Sequence, residues 1–119
     1  MLTWFLVAGA EIDSDGEILA QVSTDADSAW FPGHFPGEPV LPGIAQLSMV
    51  VKSIEKALGK QLVLQELARI KFKQLIRPGD VLDIRAVAGK KENNYSFYIQ
   101  HKEKQVCSGR LVLVPKKEQ

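Results

Sequence analysis

A chain of 119 residues is long enough for one compact domain and too short for two. Its 45% apolar content excludes a disordered chain, and 15 Lys+Arg against 14 Asp+Glu leave no basic field to favour nucleic acid. One cysteine, Cys107, excludes an internal disulfide, and no apolar run reaches the roughly 20 residues a membrane span needs.

Residues 1–10 are apolar and end in Ala8-Gly9-Ala10, a small-residue pattern like a signal-cleavage site. They lack the basic segment that opens a secretory signal, so the expected location is the cytoplasm. Residues 4–12 are rich in strand formers and lead to Asp15-Gly16, a favoured two-residue hairpin turn, and then to a second strand over 17–22. Residues 31–43 hold four prolines and three glycines, which predicts an ordered, mostly non-helical loop. Pro42 suits the first turn of a helix, where its missing N–H costs nothing, and Gly59 is the expected stop after Leu58. From Ile44 to Val51 that helix is apolar on nearly every side apart from Gln46 and Ser48, which predicts burial all round. Lys52, Glu55 and Lys56 then carry its second half into water.

After the helix, residues 62–76 read as a long strand, turned by Arg77-Pro78-Gly79-Asp80 into a strand over 81–88. Tyr95, Phe97 and Ile99 alternate with polar residues, and residues 106–114 close the set. The expected architecture is α+β: an antiparallel sheet of about five strands curled around one long central helix, in a single domain spanning 1–119. Such a sheet leaves an edge strand open, and pairing of edges in a dimer would cover it.

The chemistry concentrates in Phe31-Pro32-Gly33-His34-Phe35-Pro36-Gly37-Glu38-Pro39-Val40-Leu41-Pro42-Gly43-Ile44. This stretch resembles the signature loop of the beta-hydroxyacyl-acyl-carrier-protein dehydratases, in which His-Phe-Pro-Gly leads through a second Pro-Gly into the central helix of a hotdog fold. Ala68-Arg69-Ile70-Lys71-Phe72-Lys73 followed by Arg77-Pro78-Gly79-Asp80 is similar to that family's strand and turn after the helix. The resemblance runs from about Glu11 to Val114. It implies a dimeric hotdog protein, or a larger assembly of dimers, acting without metal or cofactor. Its substrate would be a 3-hydroxyacyl or trans-2-enoyl thioester on acyl carrier protein.

Dehydrating such a thioester needs a base for the C2 proton and an acid for the departing C3 hydroxyl. An imidazole, which titrates near neutrality, suits the first task, and the resemblance assigns it to His34. It also assigns the Gly43 N–H, at the positive end of the helix dipole, to the thioester carbonyl. Leu41 and Ile44 would stand at the mouth of the acyl site. Fourteen residues after His34 the family carries Glu or Asp, supplied across the dimer interface as the acid; this chain has Ser48. Where the family tends to carry Gln, Lys52 stands. A serine hydroxyl does not ionise usefully near neutral pH, and losing one acid–base contributor costs about 10²–10⁴-fold in rate.

Ser48 could hold a water that protonates the leaving group, or a paralogous partner could lend a carboxylate. A hydroxyl bonded back to the Ile44 carbonyl is the structural alternative. Gln46 cannot act as an acid, and Glu38 occupies a position that the family fills variably. Three activities stay open: a dehydratase with an altered acid, a non-catalytic homologue that binds acyl carriers or pairs with an active paralogue, and an acyl thioesterase. Arg69, Lys71 and Lys73 share a predicted strand face and could attract an acidic carrier protein, although a charged, solvated strand face is the more common explanation. Cys107 reads as buried filler and His101 as an exposed loop residue, and with two histidines and one cysteine far apart no zinc set is expected. No glycine-rich phosphate loop is present.

Overall fold

The computed structural model describes residues 5–24, 43–74, 76–77 and 79–116, and the side chains of these apart from 5, 6, 24 and 43–45. Six strands and one helix follow in the order β1 (Phe5–Ile12), β2 (Ile18–Thr24), α1 (Gly43–Leu58), β3 (Leu62–Phe72), β4 (Val81–Ala88), β5 (Asn94–His101) and β6 (Lys104–Pro115). They form one antiparallel sheet ordered β1-β2-β4-β5-β6-β3, with α1 packed against β1, β2, β3 and β4. This is the expected α+β hotdog arrangement, with six strands where about five were expected. The sequence between residues 62 and 115 supplies four strands.

Alternation explains which face each strand turns to the helix. In β4, Leu82, Ile84 and Ala86 are buried while Val81, Asp83 and Arg85 are exposed. Phe97 and Ile99 of β5 and Leu111 and Leu113 of β6 join them, and from the helix come Met49, Val50 and Ile54. Gln46 and Leu47 are buried as well, whereas Ser48 and Val51 are half-buried, so the first half of α1 is enclosed on most sides but not on all. Lys52 and Lys56 reach water as expected.

The helix ends at Gly59, which takes φ 69, while the Gly59 and Lys60 N–H groups both donate to the Glu55 carbonyl at 2.8 and 3.3 Å. Glu55 Oε2 accepts from the Leu62 N–H at 2.8 Å, and Lys56 Nζ donates to the Val7 carbonyl at 2.9 Å, fastening the end of the helix to β3 and β1. Pro42 lies outside the described residues.

Three local expectations need correction. The β1–β2 connection is not a two-residue turn: Asp13 pairs with Glu17, and its Oδ1 accepts from the Asp15 and Glu17 N–H groups, both at 2.9 Å. The loop proper is residues 14–16, with Gly16 at φ 82, because the short Asp13 side chain bonds the backbone two residues on and outcompetes the Asp15-Gly16 signal. Strand β3 stops at Phe72, short of Ile76, which is fully buried beyond the strand. Strand β3 also does not alternate simply. Its pairing with β6 slips between Leu64 and Glu66 and again between Ala68 and Lys71, where two residues oppose Gly109.

That second bulge solves a packing problem. Ile70 drops over Gly109, where an added Cβ would lie 2.4 Å from Ile70 Cδ1 and 2.9 Å from Phe97 Cε2. Arg69, the other extra residue, takes φ 55, a left-handed conformation that arginine rarely adopts. Gly109→Ala is therefore expected to destabilise the protein by about 1–3 kcal/mol through overpacking. A urea titration checks this as a lower midpoint with an unchanged slope.

Candidate active site

The sequence points to a candidate site where residues 31–43 meet the helix, and of these parts the structure describes the helix. Because α1 begins at Gly43, the N–H groups of its first turn have no intrahelical carbonyl to bond. They lie at the positive end of the helix dipole, and no acidic residue in the first turn neutralises that end. Ser48 sits just over one turn further along the helix and is half-buried, between the buried Leu47 and Met49. Ser53 Oγ donates to the Met49 carbonyl at 2.8 Å, the back-bonding mode available to helical serines.

His34, Leu41 and Glu38 lie outside the described residues, and of Ile44 only the backbone is described. Gln46, on the first turn, is 3% exposed and so points its amide inward. Lys52 is exposed and pairs with Glu55 at 3.3 Å, so a helix-surface ion pair occupies that position.

The remaining reactive side chains lie elsewhere. Burial pushes the Cys107 thiol up to about 11, against a small opposing effect of the Ser108 carbonyl, so it is no nucleophile near neutral pH. His101 is not simply exposed: it is half-buried, with Nε2 3.6 Å from Asp80 Oδ1, a pairing across the sheet end that sequence distance conceals. Lys73 lies past the end of β3, where it donates to Gln105 Oε1, and so does not share a strand face with Arg69 and Lys71. The sequence reading missed Arg110, which joins Arg69 and Lys71 around one depression on the sheet face away from the helix.

A six-stranded antiparallel sheet of this order wrapped on one helix is a hotdog fold, and comparisons with known proteins place this hotdog protein in the dehydratase class. The family model for ApeI-like proteins, described as ApeI dehydratase, matches residues 10–110, and the chain belongs to that family. It is 30% identical over 114 residues to the 3-hydroxyacyl-[acyl-carrier-protein] dehydratase FabZ of Pediococcus pentosaceus, covering 87% of this chain and 76% of that enzyme. It is 29% identical over 121 residues to FabZ of Lactobacillus helveticus, covering 91% and 82%. Among solved structures, it resembles a chain of the dehydratase heterocomplex ApeI:P from Xenorhabdus doucetiae with a TM-score of 0.77 and 25% identity, over 91% of this chain and 96% of that one. Among the described residues, no helix is long and apolar enough to cross a membrane.

Proposed function

We propose that this chain, folded as one domain, dehydrates 3-hydroxyacyl thioesters to trans-2-enoyl thioesters on acyl carrier protein in the cytoplasm, without a cofactor. The observation that carries this is the start of α1 at Gly43, six residues after the end of the His34-Phe35-Pro36-Gly37 motif. The Gly43 N–H is offered to the thioester carbonyl, where it stabilises the enolate-like charge that forms as the C2 proton leaves. His34 takes that proton, and Leu41 and Ile44 line the entrance for the acyl chain. Ser48 stands where the family's acid would be and orders a water that protonates the leaving hydroxyl. The dehydratase activity of the FabZ relatives supports the reaction, and the family match over residues 10–110 supports the site.

A second reading concerns who completes the site. Strand β3 is a sheet edge, and Leu64, Leu67 and Phe72 stand opposite the buried Leu113, Leu111 and Cys107. Opposed residues share a face, so these three belong to the helix side of the sheet, yet they are 37, 44 and 52% exposed. An apolar, unpaired edge is a place for a second subunit. A homodimer would bring a second Ser48; a paralogue would bring a carboxylate to His34. The heterocomplex among the similar structures favours considering the paralogue. A likeness to a hypothetical thioesterase of Streptococcus pneumoniae, at 12% identity, shows the fold alone.

The test is hydration of a crotonyl or longer enoyl thioester by the purified protein, followed as loss of the conjugated enoyl absorbance. Weak turnover is expected. Release of free thiol, read with a thiol reagent, would replace dehydration by thioester hydrolysis. No turnover alone but turnover after mixing with an acid-bearing paralogue would establish the heterodimer.

A further inference from the structure

The sheet face turned away from α1 carries opposite charges at its two ends. One row of side chains crosses all six strands on this face. Glu11 stands opposite Leu19, Leu19 opposite Arg85, Arg85 opposite Tyr98, Tyr98 opposite Ser108, and Ser108 opposite Lys71. The row therefore begins with an acid on β1 and ends with a base on β3. A second row keeps the same order. It runs from Glu17, beside the Ile18–Ala86 pair, through Val87 and Ser96 to Arg110 on β6. A third row, on the other side of the first, holds Gln21, Asp83, Gln100 and Gln105. Glu11, Lys71 and Arg110 are exposed, and none forms an ion pair among the described residues. Glu11 and Asp83 border a depression of 700 Å³ on one half of the face, and Lys71 and Arg110 border one of 340 Å³ on the other.

From this we infer that the outer face docks on the same face of a second copy of this chain, about a two-fold axis running along the strands between β4 and β5. That line is the middle of the sheet, with three strands on either side. In a two-fold contact, a residue on one side of the axis meets the residue equally far out on the other side. Counted in strands from the axis, Glu11 meets Lys71 of the second copy, Glu17 meets Arg110, Leu19 meets Ser108, and Arg85 meets Tyr98. Symmetry makes each contact twice. Within the three rows no like charges meet, since Asp83 falls on Gln100 and Gln21 on Gln105. Arg85 already lies 4.8 Å from the centre of its own Tyr98 ring, and docking brings a second ring to its other side. Stacked sheets lie about 10 Å apart and cross at about 30°, which separates the ends of a row about 24 Å long by about 6 Å. The long side chains of Glu11 and Lys71 span that offset. A partner of one charge sign would satisfy half of the face and be repelled by the other half, whereas a second copy answers both. The surface is separate from the β3 edge, whose Leu64, Leu67 and Phe72 belong to the helix side, and it is independent of the chemistry at the candidate site.

The experiment is a charge swap, read as assembly mass by sedimentation equilibrium over a range of protein concentrations at low salt. Glu11→Lys and Lys71→Glu each set like charges against one another at both symmetry-related contacts. Each variant alone should raise the dissociation constant at least about tenfold and run at no more than half the wild-type mass where wild type is associated. Mixed in equal amounts the two should re-associate, because the two lysines of one then face the two glutamates of the other. Glu11→Lys/Lys71→Glu should associate by itself for the same reason, and Lys90→Glu, in the β4–β5 connection, should behave as wild type. Urea midpoints near that of wild type show that the variants remain folded. Equal masses for wild type and both single variants would overturn the contact. Single variants that stay apart when mixed would overturn it in favour of an unlike partner.

Discussion

His34→Ala should lower enoyl-thioester hydration by about 10²–10⁴-fold, the usual cost of removing one general acid–base group. Alanine leaves no group able to take the C2 proton, while the first-turn amides of α1 and the apolar entrance remain. KM should therefore stay near its wild-type value as kcat collapses, the pattern of a group acting in the transition state and not in ground-state binding. The fold should be kept, because the buried core among the described residues is drawn from β2, β4, β5, β6, α1 and Ile76. Steady-state kinetics with the urea midpoint measured in parallel checks both halves. Wild-type kcat in the alanine variant would remove His34 from the mechanism.

The reverse change is expected at the other end of the site. Ser48→Glu should raise kcat by up to about 10²-fold by restoring a proton donor for the C3 hydroxyl. Position 48 suits a carboxylic acid physically. It is half-buried between Leu47 and Met49, so partial desolvation favours the protonated form that a general acid needs. It is also beyond the first turn, where the helix dipole no longer holds a carboxylate charged. Glu is the better helix former of the two, so the helix itself does not suffer. The pH dependence of kcat gives the signature: a new loss of rate on the alkaline side as the introduced acid ionises. Should Ser48→Glu add nothing while His34→Ala still abolishes turnover, the proton comes from a water or from a carboxylate of another chain. Mixing with a paralogue then separates these.

Several features were legible because their causes are local. Gly59 ends α1 because it tolerates the left-handed backbone, and β4 shows its buried face as a strict alternation of Leu82, Ile84 and Ala86. Of the candidate site, the loop motif is visible in the sequence, and the start of the helix at Gly43 agrees with it. The Asp13 turn was missed because a stronger turn signal, Asp15-Gly16, lay two residues on, and the deciding side-chain bond is not part of a hairpin pattern. The extent and bulges of β3 were missed because they answer to β6: Ile70 must fit over Gly109, 39 positions away. His101 was read as exposed for the same reason, since Asp80 reaches it only across the folded sheet.

Residue order alone determined the helix, most of the strands and the hotdog class, because propensity, turn residues and short-range spacing act within one segment of chain. Tertiary structure alone decided that β3 is an apolar edge, that Ile70 closes over Gly109, and that Arg110 joins Arg69 and Lys71. Those outcomes depend on which strands pair and in what register, and pairing is set by burial shared between segments far apart in the chain.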